Sequence, residues 1–180
     1  MAQGFPAHPK TVRHEVGHAI AAMKTGGRVK EMNLGDRDVN DDYGYTEASY
    51  PQSEAGFYHY AGSWTQAKFD KPDRPVEPGD IIPHYWLQNS DDAVMFGDAT
   101  GITRPHPAWH EKVSRVLAEA WDNGEIQGLA EQFIALSPKI ALHNGQLLIR
   151  QGANALWRGT DYYDVPDNGG GLVGPPPPIN

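Results

Sequence analysis

The run His14-Glu15-Val16-Gly17-His18 constrains this chain more than any other five residues. It falls where Val12, Val16, Ile20 and Met23 recur at helical spacing, and Gly26-Gly27 follows as a helix stop. Residues four apart share one helical face, so both imidazoles can reach a single ion at about 2.0–2.1 Å from each ring nitrogen. The apolar stripe lies on a different face from the two histidines. Glu15, one residue on, sits beside such an ion, where it can take a proton from an activated water and pass it to a leaving amine. With eight His and nine Glu in 180 residues, shuffling produces an H-E-x-x-H in roughly 2% of chains. The pattern therefore narrows the chemistry without deciding it.

A catalytic zinc has three protein ligands and one open position, so zinc as the cofactor requires a third ligand. The metzincin continuation would place Gly three residues and His six residues after His18, where Ala21 and Lys24 stand instead. Glu47, Glu54, Asp91 and Asp92 are among the remaining carboxylates. Glu54 lies 36 positions beyond His18 and suits a gluzincin-like arrangement; Asp91 and Asp92, in Asn89-Ser90-Asp91-Asp92, lie 73 and 74 positions beyond it. His106 and His110 are also four apart, but Pro107 stands between them and no Glu follows His106. They read as helix-start and surface residues. Tyr43, Tyr45, His59 and His84 are possible donors to a developing oxyanion.

Around the motif, Val29–Leu34 and Tyr43–Tyr50 read as two short strands joined by the acidic connector Asp36–Asp42. Ser53 is a candidate cap for a second helix through Phe57, Tyr60, Ala61, Trp64 and Phe69, in which Gly56 and Gly62 are expected to serve close packing. Lys71–Pro83 contains four prolines and reads as a loop. Further helices are expected from near Ser90, from Pro107 to Asn123-Gly124, over Ile126–Leu136, and across Lys139–Trp157. The tryptophans read as core anchors. These elements predict a mainly helical α+β domain over residues 1–164, with a small sheet beside the histidine helix, followed by a disordered Gly/Pro-rich tail over 165–180.

Composition removes several classes. The net charge is −8, with no basic stripe for nucleic acid. There is no cysteine, hence no disulfide, thiol nucleophile or Cys-ligated zinc. No run approaches the roughly 18 apolar residues of a membrane span, and the N-terminus does not read as a signal peptide. A cytoplasmic, membrane-free protein is the expectation.

His14-Glu15-Val16-Gly17-His18-Ala19, then Gly44-Tyr45-Thr46, then Tyr60-Ala61-Gly62-Ser63-Trp64, then Asn89-Ser90-Asp91-Asp92 follow a familiar order. Over about residues 11–136 the chain resembles the peptidase domain of FtsH-type AAA zinc metalloproteases. The resemblance implies a zincin-like fold and His14 and His18 as zinc ligands, with Glu15 as general base. It implies Asp92 as third ligand, with Asp91 as second choice. It also implies that Gly44, Tyr45 and Thr46 form an edge strand to which an extended substrate adds. The family's A-E pair is replaced here by Thr65-Gln66, and no G-x-x-x-x-G-K-[ST] motor motif is present. The function so implied is a stand-alone, ATP-independent zinc endopeptidase acting on unfolded or flexible polypeptide, as a homo-oligomer or with a separate ATPase or assembly partner. The alternative is a catalytically silent, zinc-stabilised binding or assembly protein that keeps the fold.

Overall fold

The computed structural model of the chain describes residues 9–34, 44–85, 91–104, 106–136, 147–151 and 160–164. The described part is mainly helical with one small sheet. The histidine motif sits in helix α1, Pro9–Lys24. Its stripe does what the spacing predicts: Val12, Val16 and Ile20 are buried. A Schellman motif closes the helix. Gly26 takes the left-handed conformation (φ 80°) that a side chain would resist, Gly26 N–H donates to Met23 O, and Gly27 N–H donates to Ala22 O at 2.8 Å.

Strands β1 (Arg28–Asn33) and β2 (Tyr45–Ser49) pair antiparallel against α1. The register shifts between Val29 and Glu31, so Lys30 is the extra residue of a bulge. That shift lets Val29 and Met32, three apart, both face the core. The acidic connector before β2 lies outside the described residues.

A 3-10 turn, Gln52–Glu54, leads into helix α2, Ala55–Asp70. Ser53 is not its cap: Glu54 holds that position and makes no side-chain capping bond. Helix α2 is buried on almost every side, because α1, α3, α4 and α5 all pack on it. Tyr60, Trp64 and Phe57 are its largest core residues, each contributing about 1.5–3 kcal/mol by burial. The packing glycines behave as expected. A Cβ on Gly56 would lie 2.5 Å from Thr100 Cγ2 and 2.8 Å from the Trp109 ring.

Two sequence expectations are corrected here. Helix α3, Pro78–Tyr85, occupies much of the stretch read as a loop; Pro78 suits a first helical position, where its missing N–H has no partner to lose. The segment read as helical over Lys139–Trp157 contains strand β3, Leu147–Gln151. It pairs with β1 on one side and with β4, Thr160–Asp164, on the other. Among the described residues the sheet is therefore four-stranded and antiparallel, in the order β2-β1-β3-β4.

Helices α4 (Asp91–Thr100), α5 (Pro107–Asp122) and α6 (Glu125–Leu136) follow the expected boundaries closely. Phe96, Val113, Leu117, Ile126 and Phe133 join the core. His106 caps α5, its Nδ1 accepting from Ala108 N–H at 3.2 Å. His110 is buried rather than on the surface. It bonds Tyr60 Oη at 3.0 Å and donates from Nε2 to Val76 O at 2.8 Å. Among the described residues no helix is long and apolar enough to cross a membrane. Residues 165–180, read as a tail, lie outside the described part.

Candidate metal centre

Three helices bring the chemistry together. On α1, the i, i+4 spacing turns His14 and His18 towards one point. Asp92, in the first turn of α4, reaches the same point. His14 Nε2 and His18 Nε2 are 3.0 Å apart, and Asp92 Oδ2 lies 2.8 Å from the first and 2.9 Å from the second. Ligand atoms held tetrahedrally at roughly 2.0–2.1 Å from one ion stand about 3.4 Å apart. The triangle is thus close to the size a zinc ion needs, requiring a few tenths of an ångström of opening.

The protonation pattern sharpens the case. His18 Nδ1 lies 2.8 Å from Tyr58 O, and a carbonyl oxygen only accepts, so Nδ1 carries the hydrogen and Nε2 holds a lone pair when the ring is neutral. His14 Nδ1 faces Gln66 Oε1 at 3.0 Å in the same manner. Two imidazole lone pairs and a carboxylate oxygen therefore converge, an arrangement that needs a cation or protons between its members. Without a metal, protons fill that role. Burial alone would lower His18, but the charge and hydrogen bond of Asp92 outweigh it and push the ring up to about 9. His14 is raised by the same carboxylate against its own burial. Asp92 resists the upward push of burial and is held well below the usual carboxylate range, chiefly by His18 and by bonds from three imidazoles. A divalent cation would displace these protons and take over the same three acceptors.

Glu15 stands beside the cluster, buried. Burial raises its carboxyl above the ordinary value, opposed by His18, His14 and a hydrogen bond from Thr46. Thr46 Oγ1 donates to Glu15 Oε2 at 2.7 Å. Gly44 leaves room for this: a Cβ there would lie 2.4 Å from Thr11 Cγ2 and 3.0 Å from Glu15 Oε1. Thus Gly44 and Thr46 meet the Glu15 carboxylate. Tyr45, alternating to the other face of β2, is exposed at 46% and donates to Glu31 Oε1 at 2.5 Å; partial desolvation, then the Glu31 bond and charge, push its phenol up to about 12.

The other candidates go elsewhere. Asp91 is exposed and outside the metal-sized group, which is His14, His18 and Asp92. Glu54 pairs with Lys112 at 2.8 Å and Glu47 with Lys30 at 2.9 Å. His59 Nδ1 is 3.0 Å from Asp92 Oδ1, and its Nε2 is 3.3 Å from Tyr50 Oη. Tyr43 and the His84 side chain lie outside the described part.

The sequence predicts helix α2 but not the part its residues play around His14, His18 and Asp92. His59, Gly62 and Gln66 fall at i, i+3 and i+7 on α2 and share one face. His59 bonds Asp92, Gln66 bonds His14, and the backbone oxygen of Tyr58 bonds His18. Gly62 supplies clearance, since a Cβ there would lie 2.6 Å from both His14 Nε2 and His18 Nε2. The stripe is readable in the sequence only once α2 is known to lie against α1.

Comparison with protein families, curated proteins and solved structures finds no match.

Proposed function

We propose that this chain is a zinc-dependent endopeptidase of the FtsH peptidase type, acting on unfolded or flexible polypeptide without ATP. The observation that carries the reading is the convergence of His14 Nε2, His18 Nε2 and Asp92 Oδ2 beside the buried carboxylate of Glu15. His14, His18 and Asp92 would hold the ion. When bound, zinc supplies Lewis acidity, polarising the scissile carbonyl and making water nucleophilic at neutral pH.

The chain's own residues handle the proton. Glu15 takes it from the attacking water as the new carbon–oxygen bond forms, and returns it to the amine nitrogen as the carbon–nitrogen bond breaks. Thr46 holds Glu15 Oε2 in place by its hydroxyl. Strand β2 ends the described sheet, so an extended substrate adding alongside it would run past Glu15.

The test is degradation of fluorescent casein by the zinc-loaded chain, without ATP, beside Glu15→Gln. The wild type is expected to cleave, and Glu15→Gln to keep one zinc per chain with cleavage lost. Equal cleavage by the two proteins would overturn the mechanism. Zinc bound by both with cleavage by neither would favour the silent, zinc-stabilised binding protein.

A further inference from the structure

His59 has no part in the proton transfer above, yet it is buried against the ligand set, with 8% of its surface exposed. Its Nδ1 lies 3.0 Å from Asp92 Oδ1. A carboxylate oxygen can only accept, so Nδ1 carries the hydrogen, and Nε2 is left to accept from the Tyr50 hydroxyl at 3.3 Å. The ring cannot easily turn away from this line. Tyr58 meets it edge-on at 5.1 Å and Tyr50 edge-on at 6.2 Å, while the two tyrosines stack on each other at 4.3 Å. A relay of donors thus runs from Tyr50 through His59 into the one oxygen of Asp92 that does not face His14 and His18.

We propose that His59, oriented by Tyr50, is the positioning residue of the centre: by bonding Oδ1 it makes Asp92 a ligand through Oδ2 only. A carboxylate without such a partner can rotate and offer both oxygens to an ion, which crowds the position that water and substrate must share. Outer partners of this kind fix ligand orientation, and their loss costs about 10–100-fold in metal affinity. The inference rests on the metal-centre reading above and extends it to a residue that never touches the ion.

The experiment uses the full chain and four variants: His59→Ala, His59→Asn, His59→Gln and Tyr50→Phe. Zinc affinity is measured by competition with a chromophoric chelator, and geometry by the visible spectrum of the Co(II)-loaded protein, whose absorption weakens when four-coordinate metal becomes five-coordinate. Asparagine places an N–H near the position of Nδ1; glutamine, closer to histidine in volume, places it near Nε2. His59→Ala and His59→Gln are expected to lose about 10–100-fold in zinc affinity and to show the weakened Co(II) spectrum. His59→Asn should recover most of both, and Tyr50→Phe should shift both in the direction of alanine but less far.

A His59→Ala protein matching the wild type, or recovery by glutamine equal to that by asparagine, overturns the inference and leaves His59 as filler of space. If His59→Ala does not fold, by circular dichroism of the metal-free protein, the asparagine–glutamine contrast decides alone. Failure of the wild type to bind zinc or cobalt at all overturns the centre itself, and with it this role for His59.

Discussion

Gly62 shows how finely single residues set this centre. Its Cα faces the point where the two Nε2 atoms meet, and one methyl group there would lie 2.6 Å from each. Alanine is the better helix former by about 1 kcal/mol, so Gly62→Ala need not harm α2 as a helix; the damage falls on the imidazoles, which must splay apart. The expected result is loss of stoichiometric zinc with little loss of helical signal, measured by metal analysis and circular dichroism on the same sample. Full zinc occupancy in Gly62→Ala would show that the ligands meet elsewhere. At this scale the sequence was partly legible. His14, Glu15 and His18 announce themselves because one helix holds all three, and local spacing determines their geometry. Asp92 could be singled out from Asp91, Glu47 and Glu54 only through a family resemblance, since its approach depends on how α4 docks. The roles of His59 and Gln66 are set by the packing of α2 on α4 and on α1 respectively and have no local signature at all.

Among the elements, the connection from α2 to α3 looked loosest from the sequence and is tightly tied. Asp80, third residue of α3, reaches back to Glu77 N–H at 2.9 Å, and its other oxygen accepts from Lys71 Nζ at 2.5 Å and Arg74 Nη2 at 2.7 Å. Prolines were legible as helix breakers here, but Pro78 at the start of a helix uses the same ring constraint in the helix's favour. Strand β3 failed for a different reason: Leu147-Leu148-Ile149 is a short unbroken apolar run, which periodicity cannot assign to helix or strand. Its neighbours β1 and β4 make that choice. The Asp80 ties carry a pH signature. Slight desolvation would raise this carboxyl, but bonds from Arg74, Lys71 and the Glu77 amide overcome it and hold the group far below its ordinary range. A depressed carboxyl stabilises the fold fully above its unfolded value of about 3.9, and that stability is lost as pH falls through the folded value. Asp80→Asn should therefore cost about 1–3 kcal/mol near neutral pH, towards the lower end because Lys71 and Arg74 are themselves exposed to solvent. The gap between variant and wild type should narrow as denaturation is repeated from pH 6 down to below 3. A gap that stays constant with pH would assign the effect to shape rather than charge.

For the molecule as a whole, the centre is a junction. It joins α1 to α4, and α4 has a single fully buried residue, Phe96, holding it to the core. Exposed Val94 and Met95 add nothing to that anchorage. The first turn of α4 is held by Asp92, bonded to His14, His18 and His59, and by half-buried Ala93 against the core. An ion taken up by these residues binds the folded chain and not the unfolded one, so it stabilises by mass action, about 2.7 kcal/mol at a hundredfold excess over Kd. For a chain of this size that is a rise in Tm of roughly 5–11 °C. Zinc should raise the melting temperature by this order, a chelator should remove the rise, and Asp92→Asn should abolish it while Asp91→Asn leaves it intact. Hydrogen exchange should report the same coupling locally, with amides of α4 exchanging faster in the metal-free protein and those of α2 scarcely changing, since α2 is buried whether or not the ion is present. A zinc-induced rise that survives Asp92→Asn but disappears in Asp91→Asn would reverse the assignment of the third ligand. The docking of α4 would then have to be redrawn, with the helix turned about its axis to bring Asp91 inward.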